Sequence, residues 1–485
     1  MVNFRIISKI IGSLLFIEAF FMSWCLAMAL SFHEDDVIAF AMTAMVTFGC
    51  AFVFLYFGRN AENVLSRRDA YVVVTATWVV FSFFGMLPFL VHGSLTNPAD
   101  AYFETMSGFT TTGVTVIEDV ERLPHAMLFW RSIMQWIGGL GIVFFTIAVL
   151  PSLVGGSVKV FAAEATGPMR SKMHPRLSTS AKWIWSIYML LTIACGLSFW
   201  AAGMGWFDAT NYAMTTTATG GFSTHNGSTV FFHSKTIEYL AILFQFLAGI
   251  NFTLLYISIF KFRLGAIVRN SEFRLYFFTV CGATLWIMYL LITRLGYGYE
   301  SAFRSALFQV VSFMTTTGLS NDNAGMWPHV TWMILGLLMF MGACAGSTTG
   351  GFKCVRVSMI IKVLRNEFMR ILHPSAVLPV KINGQSIPQV KLISLLSFLT
   401  LYVLLLLATT GIMILSGIDI TNALTIALSL LSNVGAGLDT NIGPVMAWAD
   451  LSDSLKWLCS FLMLVGRLEI MAVLVLFTRS FWKEN

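Results

Sequence analysis

The chain has 485 residues, of which 57% are hydrophobic and 11% are charged, and its mean hydropathy is +0.78. Soluble domains carry about 25% charged residues, so this composition excludes a soluble enzyme and predicts an all-α integral membrane protein. The net charge of +6 reflects basic segments between apolar ones, and it does not indicate a nucleic-acid partner.

Windows of about 20 apolar residues, the length that crosses a bilayer as a helix, recur along the whole chain. By this criterion we expect about ten transmembrane helices. They lie near residues 10–31, 37–57, 71–92, 126–151, 183–206, 237–260, 275–296, 330–364, 392–416 and 455–478. The first two form a helical hairpin that precedes the rest.

The connectors between these spans alternate in charge. With the N-terminus placed in the cytosol, the inner segments hold about 23 of the 30 lysines and arginines. The outer connectors are mostly acidic, as in the run from Glu34 to Asp36. Because cytoplasmic loops retain positive charge, the pattern predicts that both termini are cytoplasmic and that acidic outer loops attract cations.

Four polar stretches rich in threonine, serine and glycine interrupt the apolar sequence. They are FETMSGFTTTGVTV (103–116), TTTATGGFS (215–223), SFMTTTGLS (312–320) and LLSNVGAGL (430–438). Their glycines recur about every hundred residues, which indicates an internal repeat. In the second stretch either Gly220 or Gly221 aligns with the others.

The repeat predicts four units, each with a span, a short helix, a polar loop and a second span. The expected boundaries are 1–69 for the N-terminal hairpin and 70–151, 152–272, 273–390 and 391–485 for repeats 1 to 4. Twelve or thirteen residues before each glycine lies a residue type that commonly caps helix N-termini. These residues are Asp100, Asp208, Ser305 and Asn422.

We expect a helix of about three turns to begin at each of these residues, which is too short to cross a bilayer. Such a helix must turn back inside the membrane, where non-helical backbone is tolerated only if it is buried in protein or lines a water-filled path. Four such loops around one axis would form a ring of carbonyl oxygens that suits a dehydrated monovalent cation. The alternative is four ordinary tight turns between spans.

The span that follows Trp332 contains GACAGSTTGGFK, residues 342–353, which we call the glycine-rich loop. Glycine costs about 1 kcal/mol per site in a helix interior, so we expect this span to unwind near mid-membrane, beneath the four polar loops. A nucleotide-binding P-loop is the alternative, but Phe352 stands where that motif requires lysine.

Arg467 lies in the sequence LVGRLEI, about twelve residues from each end of an apolar run. A charge at that depth costs at least about 2.5 kcal/mol, so it should face a cavity or a partner. We expect Arg467 to bond the carbonyls of the glycine-rich loop and to oppose cation passage. Snorkelling or a salt bridge to Glu469 is the alternative.

Six motifs together resemble those of the Trk/Ktr/HKT superfamily of potassium transporters, most closely its bacterial TrkH/TrkG membrane subunits. The motifs are TTTGVTVI, ATGGFSTH, GGLGI, ACAGSTTGG, SNVGAGL and GRLEI, and they extend over the whole chain. The resemblance implies potassium uptake across the bacterial inner membrane through one path per subunit. It also implies a homodimer, a cytosolic nucleotide-binding regulatory partner of the TrkA type, and K⁺ as the transported ion with no bound cofactor.

The resemblance further implies which residues bind the ion and which control its passage. Backbone carbonyls of a selectivity filter would come from Thr111, Thr112, Gly113, Thr219, Gly220, Gly221, Thr317, Gly318, Leu319, Val434, Gly435 and Ala436. The gate would consist of Gly346, Gly350, Gly351, Lys353 and Arg467. The fourth loop departs from the threonine-rich pattern, because Asn433 and Val434 precede its glycine.

Two transport mechanisms stay open. A gated channel conducts through a continuous path, whereas a secondary symporter couples K⁺ to H⁺ or Na⁺ and commonly needs an intramembrane acid. Glu18 and Glu469 are the acids expected within spans, and neither belongs to a polar loop, which favours channel-like conduction. The histidines and cysteines show no metal-ligand spacing, so we do not expect an enzyme.

Overall fold

The structure, a computed structural model, describes residues 2–61, 65–141, 177–263, 265–437 and 448–483. In the described part of the chain, six helices are long and apolar enough to cross a bilayer, and two further helix pairs would cross it as bent spans. The expected span near residues 330–364 is interrupted at the glycine-rich loop. The expected span near residues 126–151 begins at His125, but its residues 142–151 lie outside the described ranges. The architecture confirms the predicted all-α membrane class.

The N-terminal hairpin consists of α1 (Phe4–Phe32) and α2 (Val37–Gly58). Asn3 caps α1 by accepting hydrogen bonds from the N–H groups of Arg5 and Ile6. The outer connector of the hairpin attaches to repeat 1 through Glu34. Its carboxylate accepts from the backbone N–H of His125 at 2.6 Å and lies 2.6 Å from the Nδ1 atom of the same residue.

Each repeat contains a first span, a short helix and a second span. Repeat 1 has α3 (Arg67–Gly85), α4 (Leu87–His92), α5 (Pro98–Phe109) and α6 (His125–Gly139). Repeat 2 has α7 (Leu177–Ala201), α8 (Trp206–Thr217), α9 (Lys235–Ala248), α10 (Phe252–Phe260) and α11 (Gly265–Arg269). Repeat 3 has α12 (Ser271–Leu295), α13 (Tyr299–Met314), α14 (His329–Met341) and α15 (Cys354–Leu372). Repeat 4 has α16 (Gln389–Leu415), α17 (Ile420–Ser432), α18 (Asp453–Arg467), α19 (Ile470–Leu474) and α20 (Arg479–Trp482). The short helices are therefore α5, α8, α13 and α17.

A small antiparallel hairpin joins repeats 3 and 4. Its strands are β1 (Lys381–Ile382) and β2 (Gln385–Ser386), in which Lys381 pairs with Ser386. The predicted boundary between repeats 1 and 2, at residues 151 and 152, lies outside the described residues.

The predicted starting residues of the short helices are wrong, because each helix begins earlier. The N-cap residues are Asn97, Gly205, Gly298 and Asp419. The side chains of Asn97 and Asp419 accept from the N–H groups two residues ahead, which satisfies donors that the helix leaves unpaired. Asp100, Asp208 and Asn422 lie in the first turn instead, where the helix dipole favours negative or polar groups.

The second spans of repeats 2 and 4 are bent, whereas the sequence predicted them as continuous. The α9–α10 pair bends by 103°, and the segment after α18 bends by 114°. Asn251 starts α10 by accepting from the N–H of Thr253 at 2.8 Å, and Glu469 turns the chain with a φ of 57°. The predicted break at residues 342–353 is confirmed, because α14 ends at Met341 and α15 begins at Cys354.

Candidate functional site

Each short helix ends in the same backbone turn. The N–H of Thr111 donates to Gly108 O at 3.0 Å, and the N–H of Thr112 donates to Ser107 O at 3.0 Å. This pair of bonds is the Schellman motif, whose pivot residue has a left-handed conformation. The four pivots are Thr111, Thr219, Thr316 and Asn433, with φ between 54° and 55°. Because threonine rarely adopts this conformation, the shared geometry indicates four copies of one structural unit.

Two residues after each pivot lies a glycine with a φ between 77° and 85°. These glycines are Gly113, Gly221, Gly318 and Gly435. The structure therefore settles the alignment of the second loop, since Gly221 is the equivalent of Gly113 and Gly220 is not. We name the four segments loop 1 (110–116), loop 2 (218–224), loop 3 (315–321) and loop 4 (433–437).

The four loops form a closed ring. Each of the four glycines lies against the carbonyl oxygen of the next loop, so closely that an added Cβ atom would overlap with that oxygen. The pairs, in order, are Gly113 with Gly220 O, Gly221 with Thr317 O, Gly318 with Val434 O and Gly435 with Thr112 O. The last pair returns to loop 1, so the repeats follow one another around a single axis in chain order.

A cavity of about 270 Å³ opens directly above this ring. Its lining includes the glycine of every loop, together with polar groups of repeats 1 and 2 such as Glu118, Arg131, His225 and Asn226. The shared cavity places the four glycines at the base of one vestibule.

An acidic side chain, Asp119, lies between two residues that line the vestibule, Glu118 and Val120. The hydrogen bond from Asn226, at 2.8 Å, is the main cause that lowers the pKa of Asp119, and the neighbouring Arg122 lowers it further. Negative charge at the mouth of a cleft raises the local concentration of cations. The vestibule is thus suited to a cation.

The outgoing segment of loop 1 is fixed by a buried ion pair. Glu104 on α5 and Arg131 on α6 are both buried and lie 2.9 Å apart. The Glu104 carboxylate accepts from the N–H of Val116 at 3.0 Å, and Arg131 donates to Ser223 O of loop 2 at 3.1 Å. The pair therefore ties two neighbouring loops to the helices behind them.

The same helical position carries a comparable contact in two other repeats. Tyr212 on α8 donates its hydroxyl to Ser228 O at 2.9 Å, and Gln309 on α13 donates to Asp322 O at 3.0 Å. Like Glu104, each lies nine residues before the glycine of its loop. Sequence reasoning missed these residues, although a polar side chain nine residues before three of the four glycines was a visible signal; repeat 4 has Ile426 at this position.

The glycine-rich loop lies against the ends of three short helices. Thr348 donates to Thr217 O at 3.2 Å, and the N–H of Gly350 donates to the hydroxyl of Thr316 at 2.7 Å. A side chain at Gly350 would overlap with Ser432 O, at the end of α17. The loop thus contacts repeats 2, 3 and 4 on the side of the ring opposite the vestibule.

Arg467 connects the glycine-rich loop to repeat 1. Its guanidinium donates to Thr348 O at 2.8 Å, to Gly138 O at 2.6 Å and to Gly139 O at 2.8 Å. The expected contact with the loop is therefore present, and two carbonyls at the end of α6 complete it. Gly138 and Gly139 belong to the GGLGI motif, where side chains would overlap with the ends of α5 and α8.

The other expected gate residues belong to the glycine-rich loop, which this arginine contacts through Thr348 O. Lys353 is buried and donates through Nζ to the backbone carbonyl and the hydroxyl of Thr349. Gly346 and Gly351 have φ values of 75° and 74°, which glycine adopts without strain. Glu469 forms an ion pair with Arg356 at 2.7 Å, a partner that sequence reasoning did not identify.

The structure brings the predicted carbonyl residues together, but with a shift in register. The predicted sets begin at the pivot in loops 1 and 2, at Thr111 and Thr219, and one residue after the pivot in loops 3 and 4. Residues equivalent to Thr111 are therefore Thr316 and Asn433, which the prediction omitted. The repeated TTT of loop 3 hid this register, because each threonine fits the pattern equally well.

Comparisons with known proteins agree with one another over the whole chain. A family model described as TrkH, cation transport protein, matches residues 38–484. The chain is 36% identical over 490 residues to the Trk system potassium uptake protein TrkH of Halomonas elongata, which covers 99% of this chain and 100% of that protein. It is 32% identical to TrkG of Escherichia coli strain K12, with 99% of each chain covered. The crystal structure of the potassium transporter TrkH from Vibrio parahaemolyticus superposes with a TM-score of 0.89 at 34% identity, covering 99% of this chain and 100% of that one.

Proposed function

Since the chain belongs to the TrkH family of cation transport proteins, we propose that it takes up K⁺ through the ring formed by loops 1 to 4. It is a multi-pass membrane protein and a transporter, not an enzyme, and its relatives are named as potassium uptake proteins. The observation that carries the proposal is the closed ring, in which four equivalent glycines meet at the base of one vestibule.

In this proposal the backbone carbonyls of the loops replace the water around a dehydrated K⁺ ion. The ring carbonyls belong to Thr112, Gly220, Thr317 and Val434, with further oxygens from the pivots and glycines beside them. The short helices support this role, because the negative end of each helix dipole points toward the loop that follows it. The loops carry no carboxylate, which suits a monovalent cation more than Ca²⁺.

The glycine-rich loop and Arg467 serve as the gate in this proposal. Three contacts of the loop with the short helices support a position across the path, just below the ring. The positive charge of Arg467, bonded to Thr348 O, opposes a cation at the same level. Movement of the loop away from Arg467 would open the path.

Ion flux into proteoliposomes tests the proposal. The purified protein should take up Rb⁺ and K⁺ in preference to Na⁺, and Gly113→Ser should lose that preference while it still conducts. The serine would strain a backbone with a φ of 85° and push against Gly220 O. Gly93→Ser is the matched control, because Gly93 has a φ of 82° but open space around its Cα.

Either a lack of Rb⁺ uptake by the wild type or an unchanged ion preference in Gly113→Ser would contradict the proposal.

A secondary symporter coupled to H⁺ or Na⁺ is the second candidate. Glu18, a buried carboxyl in the middle of α1 with no hydrogen-bond partner among the described residues, is the observation that favours it. Unitary currents in single-channel recordings would exclude strictly coupled turnover.

We further propose the assembly and location that the family resemblance implies. The protein would form a homodimer in the bacterial inner membrane with both termini in the cytosol. A nucleotide-binding regulatory partner of the TrkA type would dock on its basic inner surface. Exposed basic side chains that follow the glycine-rich loop, such as Arg365, Arg370 and Lys391, support such a surface.

A further inference from the structure

The paired glycines of loop 2 meet two different requirements. Gly221 has the positive φ and the close ring contact that all four equivalent glycines share. Gly220 does not have a positive φ, so its lack of a side chain has another cause. A Cβ atom on Gly220 would overlap with the carboxamide of Gln135, which occupies that space.

Gln135 holds loop 2 from behind through both ends of its carboxamide. Its Nε2 atom donates to Gly220 O at 2.7 Å, and its Oε1 atom accepts from the N–H of Phe222 at 3.1 Å. The side chain is fully buried on α6, four residues after Arg131, which donates to Ser223 O. One helix face of repeat 1 thus fixes three backbone groups of the neighbouring loop.

The carbonyl that Gln135 binds belongs to the ring. Gly220 O lies against Gly113 just as Thr112 O lies against Gly435. A carbonyl that accepts a hydrogen bond from a buried amide has one lone pair engaged and a preferred orientation. Gln135 therefore restrains one of the four oxygens that would face the ion.

Repeat 2 carries a glutamine at the equivalent position, Gln245 on α9. The equivalence rests on matching contacts, since Tyr188 donates to Trp136 O and Tyr276 donates to Phe246 O, in each case the residue after the glutamine. Gln245 is also buried, yet neither end of its carboxamide has a hydrogen-bond partner among the described residues. The neighbouring ring residue is Thr317, which carries a side chain where Gly220 has none.

We infer that Gln135 is a specificity-determining residue of the ion path, acting through the carbonyl of Gly220. The inference rests on the proposed function. Na⁺ is smaller than K⁺, so a ring that closes inward favours Na⁺. The bond from Gln135 holds the Gly220 carbonyl outward, and the unsubstituted Cα of Gly220 lets that bond form.

Replacement of the two glutamines by methionine tests this inference. Methionine has a similar length and volume but does not donate a hydrogen bond. In Gln135→Met proteoliposomes, Na⁺ uptake relative to Rb⁺ uptake should rise roughly five-fold, the scale of one hydrogen bond, while Rb⁺ uptake continues. Gln245→Met is the matched control and should keep the wild-type ratio, because the carboxamide of Gln245 makes no hydrogen bond to any residue that the structure describes.

The outcomes separate this inference from the proposed function. An unchanged ratio in Gln135→Met, or an equal shift in Gln245→Met, beside normal wild-type flux would overturn the inference alone. A wild type without Rb⁺ uptake would overturn the proposed function and the inference with it. If Gln135→Met does not yield a monodisperse protein, Gly220→Ala decides instead, since its methyl group displaces the carboxamide and should raise the Na⁺ ratio in the same way.

Discussion

At the residue scale, Arg467 joins parts of the molecule that are far apart in sequence. Its guanidinium bonds carbonyls at Gly138 and Gly139 in repeat 1 and at Thr348 in repeat 3, although it belongs to repeat 4. Carbonyl oxygens at helix ends and in unwound loops lack intrahelical partners, and the half-buried Arg467 satisfies several at once. The same bonds place a positive charge below the ring.

Removal of this charge should make the path easier to open. Arg467→Ala deletes the bond to Thr348 O and, with it, the proposed electrostatic barrier, so we expect Rb⁺ uptake into proteoliposomes to rise several-fold without a regulatory partner. Arg479→Ala is the control, because Arg479 is exposed and should leave uptake unchanged. Equal uptake by wild type and Arg467→Ala would show that Arg467 is not part of the gate.

Single residues also show where sequence reasoning succeeded and where it did not. The contact of Arg467 with the glycine-rich loop could be predicted, because a charge at mid-membrane needs a partner. The choice between Gly220 and Gly221 could not, since only backbone φ values distinguish them. The role of Gln135 depends on a neighbour 85 residues away, and no local pattern encodes that contact.

At the element scale, three of the four short helices make polar contacts with their own outgoing segments. Glu104, Tyr212 and Gln309 occupy one helical position and fix the backbone after their loops. The contact in repeat 1 differs from the other two, because it includes a buried ion pair between Glu104 and Arg131. Removal of one partner of a buried pair leaves the other charge uncompensated, which costs about 3 to 5 kcal/mol.

A double-variant cycle should reveal this cost. We expect Glu104→Gln and Arg131→Met each to lower the thermal unfolding temperature in detergent strongly, and the double variant to recover part of the loss, because neither charge is then left alone. The exposed pair of Glu367 and Arg370 is the control, and Glu367→Gln should cost at most about 1 kcal/mol. Additive losses in the cycle would contradict a coupled pair.

Among the features of the helices, their boundaries were the hardest to predict from the sequence. The start at residue 354 and the end at residue 341 followed from the glycines between them, since several glycines in one helix are costly. The bends near Gly249 and Glu469 lie instead where the chain packs closely against the ends of other helices. Gly249 lies against Thr315, and Gly466 lies against Leu431 O, contacts that hydropathy cannot indicate.

At the scale of the whole molecule, the four repeats close on one another. Repeat 4 meets repeat 1 through the ion pair of Lys456 and Asp100 at 2.5 Å, and repeat 2 meets repeat 3 through Arg304 and Glu238 at 2.6 Å. The sequence predicted four units from the spacing of their glycines. The order of the four repeats around the axis could be read only from the structure, because any order would give the same spacing of glycines in the sequence.

The most direct test of the ring is to compare its four glycines in one flux measurement. The ratio of Na⁺ to Rb⁺ uptake by proteoliposomes would be measured for the wild type and for serine at each position. The variants are Gly113→Ser, Gly221→Ser, Gly318→Ser and Gly435→Ser. Because each serine would push against the carbonyl of the next loop, the account predicts that all four raise this ratio while Gly93→Ser keeps it. A loss of selectivity confined to one or two of these positions, with normal selectivity in the others, would contradict a single four-loop path.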